Sequence, residues 1–130
     1  TENLCVLLAG KNRNYLIKNL EKNNIKFRYF EMTDLKTINQ LYNILDLYIV
    51  SSRIEGGPQA ILEASYTRTP IVSSDVGVAS EILSDESIFD IDELNKPIPN
   101  VEYAYENSKN FIIPIGMIKF RDVLRDLNES

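Results

Sequence analysis

Glu55 and Glu63 are the residues of this sequence best suited to chemistry, because of what surrounds them. Glu55 stands before two glycines and a proline in the run EGGP, and Glu63 lies among the apolar and small residues of AILEAS. A charge in apolar company usually has a partner. Each carboxylate oxygen accepts hydrogen bonds, so the pair suits a ligand rich in hydroxyl groups. The simpler interpretation of EGGP alone is a solvated charge, a turn and a helix start.

The segment between the two carboxylates predicts an anion site. Gly56 and Gly57 allow the backbone to approach a ligand closely and to adopt positive φ. Pro58 suits the first turn of a helix, and the exposed N–H groups of that turn bind anions. Glu63 would lie about 7 to 8 Å further along the helix. An anion flanked by two hydroxyl-binding carboxylates corresponds to a nucleotide sugar, with its ribose, diphosphate and hexose.

Other kinds of site are excluded by the residues present. The run AGKN at 9–12 lacks the leading glycine and the Ser or Thr of a P-loop, and no G-x-G-x-x-G occurs. The chain has no histidine, which excludes Ser-His-Asp triads, histidine zinc sites and histidine bases. The net charge of −5 argues against a nucleic-acid groove. We therefore expect no nucleic-acid partner.

Composition predicts an ordinary globular chain. Of the 130 residues, 44% are apolar and 25% charged, which is enough for one domain or part of a larger one. Cys5, the single cysteine, lies in the apolar run LCVLLAG. We expect it to be a buried core thiol, and the absence of a second cysteine favours a reducing compartment. No signal peptide is visible, and no apolar run approaches the roughly 20 residues that span a bilayer.

Short apolar strands alternating with amphipathic helices must position the two carboxylates. The predicted strands are 4–10, 25–30 and 46–52, then a strand with a turn at 69–77 and a strand or extended segment at 87–91. The predicted helices are 14–24, 33–45, 58–67 and 79–83. A loop at Asp92–Asn100 precedes a helix from Val101 to Leu127, which Pro114 and Gly116 divide. This order predicts an α/β fold with a parallel sheet and right-handed crossovers. Ligands bind beyond the carboxyl ends of such strands, where EGGP follows the third strand.

These motifs resemble a family. The stretch LYNILDLYIVSSRIEGGPQAILEASYTRTPIVSSDVGVASEIL looks like the nucleotide-sugar-binding half of family-4 retaining glycosyltransferases. Glu55 and Glu63 have the spacing of the family's Glu-x7-Glu signature, and Ser52 and Glu81 match flanking features. The resemblance covers residues 4 to 90, with family-like closing helices behind them. It implies a Rossmann-like parallel sheet with flanking helices, the C-terminal half of a truncated GT-B glycosyltransferase.

The resemblance also implies roles for individual residues. Glu55 would be catalytic and face the donor sugar, while Glu63 would hold the ribose hydroxyls. The base would lie against the backbone around residues 30 to 32. The implied substrate-binding set is Gly56, Gly57, Pro58, Gln59, Glu63, Phe30 and Met32. No cofactor and no catalytic metal are implied, because the leaving diphosphate and protein dipoles stabilise the developing charge.

Three departures from the family pattern qualify the resemblance. Arg68 stands where the family usually has glycine, so it must adopt a strained left-handed conformation or end the helix differently. Ser51 replaces a frequent proline. The Arg/Lys pair that clamps the diphosphate, the strand before it and the acceptor-binding first domain are missing. We therefore expect residues 1–130 to be one donor domain, incomplete at its N-terminal side and inactive in transfer by itself.

The interpretation from sequence is the donor-binding domain of a retaining glycosyltransferase, in polysaccharide biosynthesis. It would move a sugar from a UDP- or GDP-linked donor to a glycan or polysaccharide acceptor, which the missing N-terminal domain would bind. The full-length protein would be cytoplasmic, in peripheral association with the inner face of a membrane. The alternative is a non-catalytic carbohydrate-pathway module with a degenerate nucleotide site. A receiver domain lacks its acidic cluster here, and an epimerase relies on histidines.

Overall fold

The structure is a computed structural model that describes residues 3–57, 59–93 and 95–128. The chain divides into two compact units, Thr1–Gln40 and Leu41–Ser130. The boundary falls within the second helix, and each unit is described by itself. Every strand pair in both units is parallel, which confirms the predicted α/β fold. No helix among the described residues is long and apolar enough to cross a membrane.

The first unit is a two-stranded parallel sheet with a crossover helix. Strand β1 (Cys5–Ala9) pairs with β2 (Lys26–Phe30), and α1 (Asn14–Lys22) connects them. Helix α2 (Leu35–Ile44) follows, and the Asp34 carboxylate caps it by accepting the Thr37 N–H at 2.7 Å. Cys5 is exposed, so the expectation of a buried thiol was wrong. It is the first residue of β1, and too little of this unit covers that end of the strand.

The second unit is a three-stranded parallel sheet in the order β3-β4-β5. The strands are β3 (Tyr48–Val50), β4 (Ile71–Ser74) and β5 (Ile88–Phe89). The helices that follow them are α3 (Gln59–Tyr66), α4 (Ala79–Ile82) and α5 (Val101–Ser108). Every residue of the central strand β4 is buried, as expected for a strand with neighbours on both sides. Apolar side chains of β4 and the three helices form the core: Ile61, Ala64, Ile71, Val72, Ala79, Ile82, Leu83 and Ala104.

Helix α3 ends at an arginine in a left-handed conformation. Arg68 has φ of 58°, the Arg68 N–H donates to Ser65 O at 3.1 Å, and the Thr69 N–H donates to Ala64 O at 2.9 Å. These two bonds define a Schellman motif, in which glycine usually takes the position of Arg68. The strained option predicted for Arg68 is therefore the one that the chain adopts.

The side chain of Arg68 makes contacts that a glycine would lack. Its guanidinium lies 3.9 Å from the centre of the Tyr105 ring and 3.4 Å from the Glu102 carboxylate, both on α5. Helix α1 ends in the same motif with Asn24 at φ of 53°. Asparagine tolerates this conformation better than arginine does. The strain at Arg68 thus coincides with contacts that join the end of α3 to α5.

The C-terminal residues form two helices separated at Pro114. Helix α5 begins after Asn100, whose side chain accepts the Tyr103 N–H, and α6 spans Ile115–Asn128. The division predicted at Pro114 is confirmed. Gly116 does not divide the helix, because it lies inside α6, where an added Cβ would come within 2.8 Å of Phe111 O. Many apolar residues of α6 are exposed, namely Ile115, Met117, Ile118, Phe120, Val123, Leu124 and Leu127.

Candidate functional site

The loop that carries Glu55 begins at the carboxyl end of β3 and leads into α3. A cleft of about 380 Å³ lies beside it, at the carboxyl ends of all three strands of the second unit. Its polar lining comes from the end of β4 and from the loops after β3, β4 and β5, and includes Ser52, Arg53, Ser74, Asp75, Asp90 and Asp92. Arg53 and Asp92 form an exposed ion pair at 3.0 Å, which joins the loop after β3 to the loop after β5. This edge of a parallel sheet is where α/β proteins bind ligands.

Glu55 is exposed and is held by a relay of serines. The Ser52 hydroxyl donates a hydrogen bond to Glu55 Oε1. The carbonyl of Ser52 in turn accepts a hydrogen bond from Ser74 Oγ at 2.6 Å. Ser74 is the last residue of β4 and is only 4% exposed. Through this relay, the buried centre of the sheet supports the exposed carboxylate.

Gly56 and Gly57 leave open space along the loop. A Cβ added to either glycine would meet no atom within 4 Å, and both residues are exposed. The glycines with positive φ among the described residues are Gly10 and Gly77, so Gly56 and Gly57 do not use their freedom to adopt positive φ. The fold of this loop therefore does not require glycine here, whereas a ligand that closely approaches the backbone would.

The rest of the predicted anion site lies at the start of α3. Gln59 is the first residue of the helix and is exposed. Pro58, predicted for the first helical turn, lies outside the described residues. Glu63 lies four residues after Gln59, about 6 Å along the helix axis. Glu55, the glycines, Gln59 and Glu63 thus belong to one continuous loop and helix of the second unit.

Glu63 is half-buried and is bonded to a tyrosine of α2. The Tyr42 hydroxyl donates to Glu63 Oε2 at 3.0 Å. Tyr42 is 8% exposed, and its ring packs edge-on against Tyr48 with centroids 5.5 Å apart. Burial, and next the neighbouring Tyr48 and Glu63, raise the pKa of Tyr42 above its ordinary value. The phenol therefore stays protonated at neutral pH and acts as the donor in this bond.

The residues predicted to contact the base belong to the first unit. Phe30 is the last residue of β2, is half-buried, and its carbonyl accepts the Gly10 N–H at 2.9 Å. Met32 follows in the loop before α2 and is 77% exposed. The structure thus provides exposed chain after β2. A role for Phe30 and Met32 in base binding stays a prediction.

Comparison with known proteins gives the family. Residues 1–111 match the family model described as glycosyl transferases group 1. The chain belongs to this family. No curated protein matches the sequence. This group 1 transferase chain is similar in fold to a solved structure described as the crystal structure of the GtfA/B complex, with a TM-score of 0.69 and 16% identity. The match covers 98% of the present chain and 30% of that chain.

Sequence reasoning missed the hydroxyl donors that hold the two carboxylates of this group 1 transferase chain. Tyr42 is buried, and no pattern in the sequence indicated its bond to Glu63. Ser52 was matched only as part of a serine-rich strand end, and Ser74 was not singled out. Among the described residues, no group of three or more Cys, Asp or Glu is placed to hold a metal ion.

Proposed function

We propose that this chain is the donor-binding domain of a family-4 retaining glycosyltransferase. It would bind a UDP- or GDP-linked sugar for transfer to a glycan or polysaccharide acceptor. The observation that carries the proposal is the placement of Glu55 and Glu63 around an open glycine loop, at the carboxyl end of a parallel strand, in a chain of the group 1 family. Each carboxylate also has a hydroxyl donor that orients it.

The proposed division of labour follows from the chemistry of each group. Glu63 accepts hydrogen bonds from the ribose hydroxyls, since an ionised carboxylate has acceptor sites beyond the one that Tyr42 fills. The diphosphate lies against the backbone at Gly56 and Gly57 and at the first turn of α3, where unpaired N–H groups favour an anion. Glu55 faces the hydroxyls of the sugar near the bond that breaks. A contact between the base and the backbone around residues 30 to 32 stays a prediction from the family resemblance.

In this proposal catalysis depends on electrostatic stabilisation and needs no metal ion. Positive charge develops on the sugar as the bond to the diphosphate breaks. The departing diphosphate and the oriented protein dipoles stabilise that charge in a site where they are already in place. Glu55 is the group placed to favour positive charge at the sugar. Its serine relay keeps the carboxylate in position before the donor binds.

The rest of the proposed enzyme lies outside this chain. A further domain would bind the glycan acceptor and supply the cationic groups that clamp the diphosphate. The full-length protein would act in the cytoplasm, at the inner face of a membrane, in polysaccharide biosynthesis.

An amide-resolved NMR titration with UDP and, separately, with GDP tests the proposal. We expect saturable shifts at Gly56, Gly57 and Glu63 with one nucleotide and weaker or no shifts with the other. Glu63→Gln should weaken binding of the preferred nucleotide about tenfold, since hydrogen bonds to a charged group are lost. Glu86→Gln, an exposed carboxylate on the turn before β5, serves as the matched control and should leave affinity unchanged.

The titration is then repeated on the full-length protein. Binding there but not to this chain would place part of the diphosphate site in the remaining residues and would support the proposal. Absence of binding to both proteins, with the amide spectrum of a folded chain, would overturn it. That outcome would favour the non-catalytic carbohydrate-pathway module.

A further inference from the structure

We infer that Tyr42 is a positioning residue that orients Glu63 for the hydroxyls of the nucleoside ribose. This inference rests on the proposed function and deepens it. It concerns a residue 21 positions before Glu63, on a different helix, that touches the carboxylate rather than the ligand.

The first support is the rigidity of Tyr42. Its ring is buried and packs against Tyr48, and its carbonyl accepts a hydrogen bond from Thr69 Oγ1 at 2.9 Å. Thr69 is itself only 3% exposed. Ring and backbone are therefore both fixed, so the phenol oxygen has little freedom to follow a moving carboxylate.

The second support is that the backbone of Glu63 is tied to the same cluster. Thr67 Oγ1 lies 2.9 Å from Glu63 O and 2.9 Å from Thr69 Oγ1. Each threonine hydroxyl carries one proton; Thr69 donates to Tyr42 O, and Thr67 donates to one of its neighbours. Thr67 therefore bonds one of Glu63 O, Ala64 O and Thr69 Oγ1 at a time, and all these atoms lie within one cluster beside Tyr42. This cluster limits where the Glu63 backbone, and hence its carboxylate, lies before a ligand arrives.

The third support is the chemistry of the bond. An ionised carboxylate only accepts hydrogen bonds, and Tyr42 is a constant donor because its phenol stays protonated. One donor on Oε2 helps to set the plane of the carboxylate, which has about four acceptor sites in all. A ribose with two neighbouring hydroxyls can donate to such sites. A glutamate held in one rotamer loses less freedom on binding than a mobile one.

The experiment compares ribose-dependent affinity in two variants of the full-length protein. Tyr42→Phe removes the hydroxyl that donates to Glu63 and keeps the ring. The control, Tyr66→Phe, makes the same change on an exposed side chain three residues after Glu63. The probes are UDP, GDP and their 2′,3′-dideoxy forms. We expect Tyr42→Phe to weaken binding of the preferred ribonucleotide about three- to tenfold and to leave the dideoxy form unaffected. Tyr66→Phe should change neither.

The outcomes separate this inference from the proposed function. If the wild type does not distinguish ribose from dideoxyribose, the proposed role of Glu63 fails and the inference fails with it. If Glu63→Gln abolishes the discrimination and Tyr42→Phe retains it fully, the inference is overturned while the proposed function stands. Equal losses for both sugars in Tyr42→Phe would indicate a merely structural role and also overturn it.

Two additional variants keep the test decisive. In the Glu63→Gln background, Tyr42→Phe should cause no further ribose-dependent loss, because Tyr42 acts through Glu63. Thr69→Val removes the donor to the Tyr42 carbonyl and nearly keeps the volume, so it replaces Tyr42→Phe if that variant does not fold. It should lower the affinity for the ribonucleotide, but not for the dideoxynucleotide, by a smaller factor than Tyr42→Phe does. A sugar-independent effect of Thr69→Val would contradict the inference.

Discussion

The left-handed arginine at the end of α3 allows backbone strain and side-chain contacts to be measured separately. Arg68→Ala removes the contacts with Tyr105 and Glu102 but keeps a Cβ at a φ of 58°. Arg68→Gly removes the same contacts and also relieves the strain. The difference between the two variants is therefore mainly the cost of placing a side chain in this conformation.

The magnitudes follow from the geometry at this helix end. A cation over a half-buried ring near the surface contributes about 0.5–1 kcal/mol, and the exposed ion pair at 3.4 Å about 0–1 kcal/mol. Arg68→Ala should therefore lose about 1 kcal/mol. A left-handed residue with a Cβ costs roughly 1–2 kcal/mol, and glycine costs about 0.5–1 kcal/mol through the unfolded chain. Arg68→Gly should thus be close to the wild type and about 1 kcal/mol more stable than Arg68→Ala.

The assay is thermal and urea unfolding of the chain and its variants, followed by far-UV circular dichroism. A difference of 1 kcal/mol corresponds to about 4–8 °C in Tm for a unit of this size. Asn24→Gly and Asn24→Ala are the matched pair at the end of α1, where the same motif holds an asparagine. Their difference should be similar, because both pairs compare alanine with glycine at nearly the same φ in the same motif. If Arg68→Ala were as stable as Arg68→Gly, the strain argument would be refuted.

Three further predictions concern the glycine loop and two titrating groups. Gly56→Ala and Gly57→Ala should change the free energy of unfolding by no more than about 1 kcal/mol, because an added Cβ has open space there. Both variants should weaken nucleotide binding, measured by calorimetry, about tenfold or more. The raised pKa of Tyr42 contributes stability that is fully present below about pH 10 and is lost as pH rises further. Urea unfolding between pH 8 and 11 should therefore show that the free energy of unfolding of wild type exceeds that of Tyr42→Phe by less at higher pH, falling by up to about 1.4 kcal/mol per pH unit. A difference that stays constant over this range would contradict the prediction. Hydrogen bonds from the Thr37 side chain and N–H lower the pKa of Asp34, so Asp34→Ala should destabilise α2 at neutral pH. Hydrogen exchange of the α2 amides should show that this difference between wild type and variant vanishes as pH falls below the usual aspartate range. A difference that persists in acid would argue against the cap.

The elements could be predicted from sequence because each carries a local signal. Buried strands such as β4 appear as short apolar runs, and Asp34 and Asn100 cap helices in the way their side chains favour. Boundaries were less accurate, since β5 is only Ile88–Phe89 where residues 87–91 were expected. That strand ends early because it pairs with β4 along only two residues.

The candidate site was only partly predictable. Glu55 and Glu63 stand out because neither a loop nor an apolar helix needs a carboxylate, and their roles stay predictions. The bond from Tyr42 to Glu63 joins helices that are distant in sequence, so no local pattern encodes it. The exposure of Cys5 likewise depends on which elements cover β1, which an apolar run does not specify.

The ion pair between Arg53 and Asp92 makes the contact between the two loops of the cleft depend on ionic strength. Both side chains are largely in solvent, at 69% and 73% exposure, so dissolved ions screen their attraction. The Debye length is about 30 Å at 0.01 M salt and about 8 Å at physiological salt. Low salt therefore favours the state in which the loops after β3 and β5 are joined, and high salt favours their separation. The separation of these two loops should accordingly be compared only between samples of equal ionic strength.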